Sequence, residues 1–243
     1  MSSDKDIIMQ PLKYYPQPER PSDPTPLEMA IYNYELKAKA FYDKKAQLGD
    51  AKESDITERL NQDYKHLEQE RNRLESIVKA QMSLAAYRAK NLQEGTETLQ
   101  NEAHHNPENK LAKFLAAAGE IKPTNGHEAH HIIPGKGRYD QPAIALARLR
   151  LHAHGIGIND PMNGVWLFGK VKGKEFDWAT SDAVSHRRIH RHNYEVWIGR
   201  SFVPKRSKVD FVNLLRIVKL KIKTGTMPEF VMMPKGTEWD GVS

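Results

Sequence analysis

The stretch HEAHHIIPGKG, residues 127–137, decides how this chain is read. Two apolar residues and a proline follow its paired histidines, so Ile132, Ile133 and Pro134 predict a short buried strand ending at a turn. Side chains alternate across a strand, which sends His130 and His131 to opposite faces. They therefore cannot easily do the same job. One can ligate a metal while the other faces a substrate, or one can simply be packed. The letters EAHH also occur once upstream, at 102–105 in NEAHHNPENK. No apolar run supports that copy. His104 and His105 are expected on a solvated linker, without the rigid support that metal or acid–base work requires.

Working downstream, SDAVSHRRIHRHNYEVWIG (181–199) predicts a helix capped by Thr180 or Ser181, with Asp182 in its first turn. On a helix, His186 and His190 are i, i+4 and stack on one face, able to chelate one cation. By itself such a pair also reads as two surface or core histidines. Tyr194 continues that face, whereas His192 lies off it as a solvent or phosphate contact. In INDPMNGVWLFG (158–169), Val165–Phe168 is a second strand candidate, with Asn163-Gly164 as the turn before it. Eight of the 11 histidines fall between 127 and 192.

Bulk composition narrows the chemistry. The 243 residues include no cysteine, so any metal must be held by His, Asp, Glu or Asn. Residues 126–225 hold 18 Lys+Arg against 8 Asp+Glu, whereas residues 1–125 hold 18 against 20. A basic module behind a near-neutral front half favours a polyanion, nucleic acid first and anionic membrane second, or is a basic surface with no partner. No apolar run approaches the length of a membrane span, and MSSDKDIIMQ lacks the apolar region of a Sec signal.

The front half predicts little chemistry. Prolines in PLKYYPQPERPSDPTP mark 1–26 as an extended leader. Helix starts near Pro26, with Thr25 as N-cap, and stops at Gly49. A second helical run opens at Ser54, where Leu60, Leu67 and Leu74, like Tyr64, Arg71 and Val78, lie seven apart. That spacing predicts a helical hairpin or short coiled coil over 27–105, an adaptor, delivery or oligomerisation element. KLAKFLAAAG (110–119) is a short helix with Gly119 as its C-cap.

Taken in order, LAKFLAAAG, GHEAHHIIP, LHAHGIGINDPMNGVWL and HRRIHRHNY make the segment from about 108 to 198 resemble the HNH/endonuclease VII superfamily, and within it the AHH group of bacterial toxin nucleases. The resemblance implies an α+β, mostly α-helical fold: the N-terminal helical region, then a small ββα-metal nuclease domain with flanking helices at 106–228, then a tail at 229–243. It implies His130, His186 and His190 as ligands of one divalent cation (Mg²⁺, Mn²⁺, Zn²⁺ or Ni²⁺), His131 as general base and Asn163 as the residue that orients it. Glu128 matches a supporting acid of colicin-type members, and Tyr194 a second-sphere or phosphate contact. One departure is the long spacing from Gly169 to His186, which suggests an extra loop or short hairpin.

These residues suit phosphodiester hydrolysis. Neutral imidazole, with a reference pKa of about 6.5, can take a proton from water near neutral pH. Lys136, Arg138, Arg187, Arg188 and Arg191, with Arg148, Arg150, His152 and His154 on the ARLRLHAHG run, are expected to meet phosphates without reading bases. The implied function is a largely non-specific DNase, with RNA as the other substrate. Its expected setting is an antibacterial, type VI-like effector made without a Sec signal and delivered into a target cell. An immunity protein and a secretion adaptor would be its partners. A house-keeping or phage HNH nuclease, and a non-catalytic His-zinc nucleic-acid module, are the competing readings.

Overall fold

The computed structural model describes residues 16–48, 54–102, 110–233 and 237. His104, His105, Gly49, most of the leader and most of the tail lie outside the described residues. The chain divides into two compact units, Met1–Lys79 and Ala80–Ser243. Among the described residues no helix is long and apolar enough to cross a membrane.

In the first unit, α1 (Pro26–Leu48) opens with a capping box. Thr25 N donates to Glu28 Oε2 at 2.8 Å, and Glu28 N donates to Thr25 Oγ1 at 3.3 Å. The second helix, α2 (Ser54–Gln93), pairs antiparallel with it, since Lys37 meets Glu70 and Lys44 meets Asp63. Phe41 and Leu67 are buried at the seam, as the seven-residue spacing requires, whereas Tyr64 stays half exposed.

The second unit begins inside α2, at Ala80, upstream of the boundary at 105/106 expected from composition. The reason is packing. Leu84 and Tyr87 are buried, and the Tyr87 ring lies 4.8 Å from that of Phe114 on α4 (Lys110–Ala117). Between them lies α3 (Thr96–Gln100). Gly119, at φ +87°, follows α4 as the expected left-handed cap residue. Then come β1 (His127–His131), α5 (Gln141–Ala153), β2 (Gly164–Phe168), α6 (His186–Ile189), α7 (His192–Phe202) and α8 (Lys208–Lys223). β1 and β2 pair antiparallel, with His130 opposite Val165 and His131 opposite Gly164.

One apolar core joins these parts. Ile132 and Ile133 pack with Leu151 of α5, Leu167 of β2, Ile198 of α7 and Leu215 of α8. Helix α8 is one of the expected flanking helices, though its place was not read from the sequence; Phe211, Leu215, Val218 and Ile222 recur at helical spacing and are all buried. The tail boundary at 228 also shifts, because Val231 is fully buried in the same core.

Arg148 and His152 correct the expectation of a phosphate contact on α5. Both are buried. The Arg148 guanidinium donates to the carbonyls of Gly135, Leu99 and Glu102, and its Nε donates to His152 Nε2 at 3.0 Å. His152 in turn holds Ile156 O through Nδ1. These groups tie α3 and the loop after β1 to α5. Burial, joined by the Arg148 charge, outweighs the Ile156 hydrogen bond and brings the His152 pKa down to about 4. The unfolded chain binds this proton at about 6.5. Stability is therefore full above pH 6.5 and falls as pH drops toward 4, by on the order of 3 kcal/mol for this group. Urea denaturation across pH 4–7 checks it, and His152→Gln should flatten the slope.

Candidate metal and catalytic centre

The centre is built where β1 runs into the core. Ladder pairing continues one residue past the strand, as Ile132 N donates to Asn163 O at 2.8 Å. Asn163 then clamps the crossing. Its Oδ1 accepts from Ile133 N, and its Nδ2 donates to the carbonyls of Ile133 and Ile158. Both N–H groups and the oxygen of this amide are thus engaged in a fully buried position. Asn163 was expected to orient His131. Its side chain instead fixes the backbone around the strand end, and the amide bonded to the His131 ring is Asn159, with Oδ1 3.1 Å from Nε2.

His130 and His131 diverge as alternation predicts. His130 is 1% exposed, whereas His131 is half-buried and lines the cleft. One nitrogen each of His130, His186 and His190 lies within 4.8 Å of the others. The three ring centroids are 4.9–5.1 Å apart. Burial first, and then the neighbouring His186, His190 and His131 rings, hold His130 well below the usual histidine range. It is thus a neutral imidazole, the form that ligates metal.

Hydrogen bonds select the tautomers. Tyr194 Oη, fully buried, donates to Ile132 O at 2.7 Å and lies 3.2 Å from His130 Nε2. Its single proton is used on the carbonyl, so His130 Nε2–H donates to it and Nδ1 is left for an ion. Glu128 Oε2 lies 2.7 Å from His186 Nδ1, which must donate, so His186 Nε2 is left for an ion. Glu128 therefore bonds the candidate ligand His186 and not His131. The close pass depends on Gly169, where a Cβ would meet Glu128 Oε1 at 2.5 Å. Tyr194, expected to support a ligand or touch phosphate, is too buried for phosphate.

The helix expected from Ser181 to Gly199 is broken. Residues 169–185 form a loop with a 3₁₀ turn at Lys174–Phe176, and not a hairpin. Asp177 organises it, accepting from Thr180 and Lys174 and lying 3.3 Å from buried His127 on β1. That anchor returns the long spacing to the strand, so His186 opens α6 beside His130. The chain leaves helix at His190 and restarts at His192. Arg191, between the two helices, donates to the carbonyls of Arg188, Met232 and Met233. These carbonyls engage its guanidinium, which corrects its expected phosphate role. His192 stacks edge-on to Tyr139 and, with Arg191, lies outside the cleft lining.

The cleft itself has a volume of about 1050 Å³. Besides the imidazoles, Lys110, Lys122, Lys136, Arg138 and Arg187 line it. Glu195 on α7, which the sequence did not single out, accepts from the backbone N of Arg138, Tyr139 and Asp140 at 2.7–2.8 Å and so holds the loop that carries Lys136. Nothing in its local sequence marks that role.

Residues 111–214 match the family AHH, a nuclease family of the HNH/ENDO VII superfamily with conserved AHH. Over these residues the chain is similar to the AHH nuclease family. No curated protein and no solved structure matches the chain. In this segment the residues fit a divalent ion: three imidazoles, two with the second nitrogen held by Glu128 or Tyr194, as a metal-bound histidine requires. Three protein ligands are the number of a catalytic site with an open position.

Proposed function

We propose that this protein is a metal-dependent, largely non-specific DNA endonuclease acting as an antibacterial effector. The observation that carries the nuclease chemistry is the convergence of His130, His186 and His190 in one basic cleft, with His131 beside them on the opposite strand face. His131 takes the proton of the attacking water. Asn163 and Tyr194 keep the strand end rigid while it does so. A divalent cation, when bound, supplies Lewis-acid stabilisation of the phosphate charge. Exposed Lys136 and Arg187 hold the phosphate backbone. Among the described residues the cations lining the cleft are suited to phosphate contact, which supports low sequence specificity. The effector role draws on the likeness to AHH toxin nucleases and on a helical hairpin in front, suited to an adaptor; an immunity protein would protect the producer.

Purified protein on plasmid DNA, with a panel of divalent cations and a chelator control, tests the activity. Expression in a bacterium without an immunity protein tests the effector role, since chromosome degradation is expected there. Nicking restricted to particular sequences, or no cleavage with any cation, would count against the reading. Replacing Lys136 and Arg187 together with Ala should weaken DNA binding and cut the log–log salt slope by about 2, since each cation removed leaves one phosphate unneutralised.

A further inference from the structure

Glu102, the first letter of the upstream EAHH copy, sits beside the second copy. Its carboxylate accepts from Tyr87 Oη at 2.6 Å, from Lys110 Nζ at 3.2 Å and from Asn159 Nδ2 at 3.0 Å. Asn159 is 1% exposed, and its backbone N donates to the same Tyr87 Oη at 3.1 Å. Gly157 makes room for this contact, because a Cβ there would meet Tyr87 Oη at 2.0 Å. Arg148 fixes the Glu102 backbone by donating to its carbonyl at 2.8 Å.

The direction of each bond follows from chemistry. A carboxylate only accepts, so Asn159 must turn its NH₂ toward Glu102. That leaves Asn159 Oδ1 facing His131 Nε2 at 3.1 Å. An amide oxygen also only accepts, so Nε2 carries the proton and Nδ1 is the nitrogen without one. We propose that Tyr87 and Glu102, acting through Asn159, are positioning residues that hold His131 in the Nε2–H tautomer needed for general-base catalysis. Tyr87, Glu102 and Lys110 precede the family match at 111–214, so the AHH domain completes its base with residues from outside the matched segment. The inference rests on His131 being the base.

The test uses the full chain with Mn²⁺ and a short fluorescent DNA duplex, with kcat and KM measured separately. Thermal melting and calorimetric Mn²⁺ binding serve as controls. Asn159→Ala should lower kcat about 10–100-fold at unchanged KM and Mn²⁺ affinity, the range for outer-shell orienting groups. Glu102→Ala should lower kcat about tenfold, and Glu102→Gln, which keeps an acceptor for Asn159, should restore most of it. Long-range ¹⁵N NMR, with the His131 signals assigned by their loss in His131→Ala, should find Nε2 protonated in the wild type and a tautomer mixture in Asn159→Ala. A wild-type ring protonated on Nδ1 overturns the proposal without any variant having to fold. So does wild-type kcat in folded Asn159→Ala when His131→Ala is inactive. Activity in His131→Ala instead removes the base assignment itself.

Discussion

His131→Ala is expected to lower the cleavage rate by about 10²–10⁴-fold, the span of general-base contributions. The fold and Mn²⁺ binding should survive. His131 is half-buried on the face of β1 away from the candidate ligand His130, so its loss neither opens the core nor removes one of the three clustered rings. The measurement pairs single-turnover cleavage with calorimetric metal binding on one preparation. A variant that still cuts at the wild-type rate would sink the base assignment. A variant that fails to fold would instead point to a structural role for the ring.

His190→Ala addresses the other half of the centre. Its side chain is exposed and ends α6, so truncation should cost little stability. With one of three nitrogens gone, metal affinity should fall by more than about 100-fold, beyond what outer-shell changes cost. Cleavage should be lost at metal concentrations that saturate the wild type, and chelator treatment of the wild type should reproduce that loss. Retained tight binding of one ion in His190→Ala would show that the three rings do not share it. His130→Ala is the harsher change, because it also leaves Tyr194 buried beside a void.

Acid should act on this centre and on the fold together. Burial holds His130 below the usual histidine range and His152 at about 4, so both are neutral in the native protein. Each binds its proton more readily in the unfolded chain, and falling pH therefore favours unfolding.

Residue type and local spacing made several features legible. The division of labour between His130 and His131 follows from strand alternation, which is a property of adjacent residues. The partnership of His186 and His190 follows from a four-residue separation, and it survives although α6 ends at Ile189 and His190 is only its C-cap. That break carries no Gly or Pro signal in HRRIHRHNY. It coincides with Arg191 reaching carbonyls at 232 and 233, a contact local sequence cannot announce.

Other assignments needed the packed molecule. Arg148 reads as surface charge until α5 packs it under three carbonyls. Asn159 and Asn163 are the same residue type four positions apart, and the family resemblance implied Asn163 as the partner of His131. Which amide faces the ring is a matter of where the 158–163 turn crosses β1. Glu102 looked like part of an idle linker until α3 brought it to Asn159. By itself, the sequence determined which side chains could ligate an ion or carry a proton, because those capacities belong to the residue and its near neighbours. Only the tertiary structure decided which group orients which, because a hydrogen bond of about 3 Å depends on segments far apart in the chain arriving at one point.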